Sequence, residues 1–334
     1  MLFLLLSLGG SLTTQAITLD AILAKTLQKN PRILQAESEL GAASGERLIL
    51  RASALPKALI GAIAGDQGGQ RAQESSNTPF IFAYGSFSQP LFHPEIPASY
   101  RRAEVGLLIA QQQLNVAVTQ ELHEARVTFY AALYNRALES LGRSQREQLE
   151  KNIAGEKARY EAGNTDRGAF TSAILLAREL DPKIESAHRA YAGAVLQLAQ
   201  SMGGSLGQNA ALPEPEGRLS FQATRPLSQH DVDAALQRRA DLKLARLMVC
   251  AARDDQRIVA AGYYPAVDAV ASGEAIPVSG IHRDNHGSPE ATDDTVASEV
   301  RGGVSYTWRV VDNGQVGGAV LNARSIREGN EIEL

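Results

Sequence analysis

His282 and His286 stand four residues apart, the spacing that puts two imidazoles on one helical turn for a metal ion. Their neighbours are Asp284, Asn285, Gly287 and Pro289, which read as a polar solvent loop rather than a helix, so no metal ligand is assigned. Gly203-Gly204-Ser205-Leu206-Gly207 has the glycines of a phosphate-binding loop but no lysine, and it follows a helical stretch rather than a strand. It reads as a helix terminator. Cys250, the one cysteine, falls within a helical stretch and reads as a small buried apolar residue; no internal disulfide is possible. No Ser/His/Asp grouping or carboxylate pair stands in a motif context. The chain offers no catalytic residue and no cofactor site, and an enzyme is not expected.

What the sequence does carry is a duplication. Residues 17–65 return at 226–274 with a constant offset of 209, so that Leu27 meets Leu236, Gln28 meets Gln237, Ile33 meets Leu242 and Pro56 meets Pro265. Leu91-Phe92-His93 then pairs with Val310-Val311-Asp312 at an offset of 219. Periods of 20–50 residues would signal a solenoid. One period near 210 instead gives two equivalent halves, an arrangement that suits a wall built from like staves.

Net charge is −4, so no basic field attracts nucleic acid. Aromatic residues make up only 5% of the chain, which favours long helices with small-residue seams over a compact aromatic core. Residues 1–16 begin Met1-Leu2-Phe3-Leu4-Leu5-Leu6 and end Thr14-Gln15-Ala16, the shape of an export leader cleaved after Ala16, although no Lys or Arg precedes the apolar run. Ile17 stands where a lipid-anchored protein would carry its cysteine. No later run of 18 apolar residues exists to span a membrane as a helix.

The periodicities place the elements. Residues 18–54 are helical with a break at Asn30-Pro31, because proline pushes its predecessor out of the helical region. Strands follow at about 57–65 and 80–92. A long helix covers about 98–160, with Val118, Leu122, Ala125, Phe129 and Ala132 at the alternating spacing of a coiled-coil seam. It would be roughly 95 Å long. It turns at Ala162-Gly163-Asn164-Thr165-Asp166 into a return helix at about 167–202, kinked at Asp181-Pro182. A proline-rich connector at 213–228 leads to the second copy, 229–334, with strands at about 266–274 and 300–311. In that last strand Val304, Tyr306, Trp308 and Val310 alternate with Ser305, Thr307 and Arg309. A half-buried strand of a soluble sandwich has this period, and so does a barrel wall with lipid on one side and water on the other. The export leader favours the barrel. By the repeat, residues 313–334 match about 94–115, so the second copy is expected to lack the equivalents of about 116–202.

Leu19-Asp20-Ala21 followed by Leu27-Gln28-Lys29-Asn30-Pro31, Pro90-Leu91-Phe92, Ala158-Arg159-Tyr160-Glu161-Ala162-Gly163, and Trp308 with Val311-Asp312-Asn313-Gly314 resemble the TolC-type outer membrane efflux proteins. The resemblance covers nearly everything after the leader. It implies a mainly α fold with a β-barrel portion: a helix–strand–strand–long helix–helix unit used twice, antiparallel coiled-coil hairpins, and four transmembrane strands per chain. Four strands cannot close a transmembrane barrel, so oligomerisation is required; the resemblance implies a homotrimer. It further implies an outer-membrane channel of a tripartite efflux or type I secretion system with a long periplasmic extension, partnered by a periplasmic adaptor protein and, through it, an inner-membrane transporter. The hairpin tip bearing Arg159, Gly163 and Asp166 is the implied adaptor-docking region. The competing reading, a periplasmic adaptor, would show one hairpin inserted in a β-rich chain rather than duplicated units.

Overall fold

The computed structural model describes residues 16–71, 74–204, 212–220, 223, 228–277 and 296–334. The leader up to Gln15 and the loop holding His282 and His286 lie outside the described residues. The elements are β1 Ala16–Ile17, α1 Leu19–Lys29, α2 Pro31–Ala52, β2 Lys57–Arg71, β3 Glu74–Phe92, α3 Ile96–Glu161, α4 Arg167–Arg178, α5 Asp181–Ser201, β4 Glu214–Pro215, α6 Gln229–Arg238, α7 Ala240–Ala260, β5 Ala266–Pro277, β6 Val296–Thr307 and α8 Gln315–Glu333. The chain divides into two compact units, one formed by residues through Leu40 with Gln111–Asp241, the other by Gly41–Ala110 with Leu242–Leu334.

The first unit is helical. Its core joins Ile17 and Ile22 to Ala125, Phe129, Ala132 and Leu133 of α3 and Ala194 and Leu198 of α5. The alanines at Ala125, Ala132 and Ala194 let helix backbones approach closely, which is why the seam is thin. Asn30 adopts an extended backbone (φ −64°, ψ 126°), as a residue before proline must, and so ends α1. Its side-chain oxygen accepts from the Arg32 and Ile33 amides (2.9 and 3.3 Å), capping α2, while its amide donates to Glu121 Oε2 (2.8 Å) and the Ser201 carbonyl (3.0 Å). One buried side chain thus joins α1, α2, α3 and α5.

The return arm expected at 167–202 is two helices, since the chain leaves the helix after Arg178 and restarts at Asp181 with Pro182 in the first turn, where its missing N–H costs nothing. A two-residue parallel pairing was not foreseen: Ala16–Ile17 runs beside Glu214–Pro215, fastened by the Glu216 amide on the Ile17 carbonyl (2.9 Å) and by Arg136 on Glu214 (2.9 Å). Ser228 and Asp231 form a reciprocal capping box at the start of α6.

The second unit carries a four-stranded antiparallel sheet in the order β2-β3-β5-β6. β2 and β5 begin directly after Pro56 and Pro265. Arg47 of α2 pairs with Glu104 of α3 (2.9 Å), and Arg101 and Arg102 of α3 pair with Asp254 and Asp255 of α7 (3.1 and 2.8 Å). Cys250 is exposed on α7, not buried as expected, because that helix gives its buried positions to Val249, Ala251, Ala252 and Asp254. Among the described residues no helix is long and apolar enough to cross a membrane.

Candidate functional site

The register sorts the sheet into two unlike faces. In antiparallel pairs, directly opposed residues share a face. Val304 opposes Ala269, Tyr306 opposes Val267, Phe87 opposes Ala271, and Ile60 opposes Gly85. Together with Ala62, Ala64, Ile81, Ala83 and Val300 these make one face that carries no charge until Asp66 at its far end. It is open to the surroundings, with Ile60 90% and Val304 68% exposed. The other face holds Ser272 opposite Arg301, Glu274 opposite Glu299, and Ser305 opposite Asp268. This polar face is the hollowed one, with a depression of about 440 Å³ lined by residues of all four strands.

Three residues that the period assigns to the last strand, Trp308, Arg309 and Val310, do not belong to it. β6 ends at Thr307, opposite Ala266. The next partner would be Pro265, which has no N–H to extend the ladder. Trp308 and Val310 therefore stand beyond the strand, and so does Arg309, whose guanidinium donates to Gln315 Oε1 (3.0 Å). Trp308 instead donates its indole N–H to the Tyr263 carbonyl (3.2 Å). The structure thus brings Val304 and Tyr306 together on one face of β6, and Ser305 and Thr307 on the other. Tyr263, Tyr264, Tyr306 and Trp308, each at least half exposed, cluster at this end of β5 and β6.

The three hairpin-tip residues each have a structural task. Gly163 takes the left-handed conformation (φ 77°), which a side chain would strain. The Gly163 and Asn164 amides then donate back to the Tyr160 and Arg159 carbonyls (3.0 and 2.9 Å), closing α3. Asp166 accepts from the Ala169 amide (2.8 Å) and caps α4. The Arg159 guanidinium lies on Glu156 (3.0 Å). Tyr160 and Phe170 stack across the hairpin at 6.0 Å.

His93 and Asp312, equivalent by the repeat, turn the chain from strand to helix in different ways. Asp312 accepts from the Gly314 and Val316 amides (3.0 and 2.9 Å), and these bonds hold its carboxyl below the usual range. His93 lies between two carboxylates, Nδ1 on Glu95 (2.8 Å) and Nε2 on Asp268 (3.0 Å). Both nitrogens can donate only as imidazolium. Burial pulls the imidazole pKa down, but Glu95 and Asp268 outweigh it and leave it raised above the ordinary value. A raised folded-state pKa gives stability that is complete below the unfolded value of about 6.5 and is lost as pH climbs through the folded one. Amide exchange at the start of α3 is therefore expected to speed up as pH rises through that window, after correction for intrinsic rates. His93→Gln should flatten that dependence; an unchanged profile would refute the imidazolium tie.

No protein-family model and no curated protein sequence matches the chain. Solved structures do. Over 94% of its length the chain resembles the Campylobacter jejuni CmeC outer membrane channel (TM-score 0.77, 13% identity, 66% of that chain covered). It is also similar to the Vibrio cholerae outer membrane protein VceC (TM-score 0.71, 17% identity, 94% and 74% covered). A third match is the open state of the Neisseria gonorrhoeae MtrE outer membrane channel (TM-score 0.73, 16% identity, 94% and 68% covered). At these identities the likeness is one of fold: the chain has the fold of the TolC-type outer membrane channels, as its motifs led us to expect.

Proposed function

We propose that the protein is an outer-membrane channel subunit that passes solutes from periplasm to exterior, as the outlet of a tripartite efflux or type I secretion system. The observation that carries this reading is the two-faced sheet. A charge-free face of more than ten residues is costly in water but suits hydrocarbon, while Glu274, Glu299 and Arg301 on the hollowed face need water. Among the described residues β2 and β6 each have one unpaired edge, which lipid does not tolerate, so further copies of the chain supply the missing neighbours; three would give twelve strands. Tyr263, Tyr264, Tyr306 and Trp308 suit the aromatic girdle at a membrane–water interface. In this reading Val304 and Tyr306 meet lipid, with Trp308 and Val310 at the interface. Ser305, Thr307 and Arg309 take the lumen side. The Arg159–Asp166 turn meets a periplasmic adaptor and, through it, an inner-membrane transporter.

The protein is expected to fractionate with outer membranes, to need detergent for extraction, and to give discrete ion conductance in planar bilayers. Recovery as a soluble periplasmic monomer without conductance would sink the proposal.

A further inference from the structure

The turn from β6 into α8 holds the chain's one Asn-Gly pair, Asn313-Gly314. Asn313 is exposed and, among the described residues, is the only non-glycine residue with positive φ (52°); Gly314 follows at φ 83°. Asparagine tolerates this left-handed region better than most side chains, and glycine enters it freely. The pair thus suits the turn conformationally, and it brings a chemical liability with it. The Gly314 nitrogen has no neighbouring β-carbon to shield it, and a Cβ built on Gly314 would meet nothing within 4 Å. The hydrogen bonds of the turn run to Asp312 and not to the Asn313 carboxamide, whose carbon is therefore unencumbered.

The reaction available to such a pair is loss of the side-chain amide. The Gly314 nitrogen gives up its proton and bonds to Cγ of Asn313 while the Cγ–Nδ2 bond breaks; the departing nitrogen takes up the proton and leaves as ammonia. A cyclic imide remains, and water opens it at either carbonyl. One opening gives aspartate with the backbone unchanged. The other gives isoaspartate, in which the chain runs through the side-chain carbons and is one bond longer. What opposes the reaction in the folded chain is Asp312, whose Oδ1 accepts from the Gly314 amide (3.0 Å) and Oδ2 from the Val316 amide (2.9 Å). The nitrogen must release a charged acceptor before it can attack, and bonds of that kind are the stronger ones.

We propose that Asn313 is a site of spontaneous deamidation, and that Asp312 sets its rate by holding the attacking nitrogen. The product adds a carboxylate next to Asp312. In its isoaspartyl form it also lengthens the backbone between Asp312 and Gly314, so the ties from Asp312 to the Gly314 and Val316 amides no longer fit and the start of α8 loosens. The site does not depend on the channel reading: it ages the strand-to-helix turn whatever the chain carries.

The test is incubation of the purified full chain in neutral detergent at mildly alkaline pH, then digestion with trypsin at mildly acidic pH and mass spectrometry of the peptide 310–324. That peptide lies between cleavage sites at Arg309 and Arg324 and contains its own control, the exposed Asn322 within α8, followed by Ala323. Conversion is expected at Asn313 and not at Asn322, with isoaspartate and aspartate both formed. It should run about tenfold slower than in the free synthetic peptide, and Asp312→Ala should recover most of that factor, the size set by one hydrogen bond to a charged group. Gly314→Ala strains the turn and would speed any reaction that merely followed loosening. The expected result is the opposite, near-complete loss of conversion, because the added β-carbon crowds the nitrogen. Asn313 left intact in the Asp312→Ala chain while the free peptide is consumed would overturn the site, as would a Gly314→Ala chain that converts as fast as the parent. Equal rates for the parent and Asp312→Ala would overturn the hold by Asp312.

Discussion

Val304→Arg is expected to abolish stable insertion of the sheet, while Ser305→Arg, one residue on, leaves it largely intact. Val304 projects from the charge-free face opposite Ala269, and an arginine on a lipid-facing strand costs about 2–4 kcal/mol near the bilayer midplane. At 1.4 kcal/mol per factor of ten this is roughly a 30-fold to several-hundred-fold bias against the inserted state for each chain. In an oligomer the penalty recurs in every copy. Ser305 opposes Asp268 on the polar face, which the proposed function turns to water, and a new guanidinium there meets an opposite charge. The measurement is the yield of detergent-extractable oligomer in outer-membrane fractions, by semi-native gel. Comparable yields for the two variants would remove the basis for assigning lipid and lumen to these faces.

The residues that made this sheet legible in sequence are few. Pro56 and Pro265 marked the switch from helix to strand in both halves because a proline past the first turn cannot continue a helix, and β2 and β5 begin one residue later. The alternation through Val304 to Thr307 was equally plain. In β2 it was not: Leu59, Ile60, Ala62, Ile63 and Ala64 are apolar on both faces, so neither face could be named before the register was known. Past Thr307 the alternation continues in the sequence although the ladder stops, so period alone extends the strand over Trp308, Arg309 and Val310. Pairing between β3 and β5 joins segments about 180 residues apart, and no local pattern encodes it. The hollow needs Tyr84, Glu274 and Arg301 from three strands and was invisible for that reason. The pairing of Ala16–Ile17 with Glu214–Pro215 was hidden in the same way.

The repeat also supplies a matched pair of sites in the first unit at which the same turn is made with opposite stakes. Asn30 and Arg239 are equivalent, each the residue between two helices. Asn30 is 2% exposed and gives two donors, one to the buried Glu121 carboxylate and one to the half-buried Ser201 carbonyl. Asn30→Ala withdraws both donors and the cap on α2. A lost cap costs about 1 kcal/mol, and the Glu121 carboxylate, which keeps Arg32 on Oε1 (2.9 Å) but loses its partner on Oε2, about 1–3 kcal/mol more. The expected destabilisation of the first unit is therefore about 3 kcal/mol, read as faster amide exchange in α1 and α5. Arg239 is exposed and clasps Asp241 (3.0 Å) at the surface, so Arg239→Ala should leave exchange in those helices unchanged. In a Glu121→Gln background the Asn30→Ala penalty should shrink, since no carboxylate is left short at Oε2, Arg32 holding only Oε1 of Glu121 (2.9 Å); neighbours in one network couple in this way. A full penalty in that background would place the cost in the lost cap alone. Equal effects of Asn30→Ala and Arg239→Ala would show that Asn30 does not hold the joint.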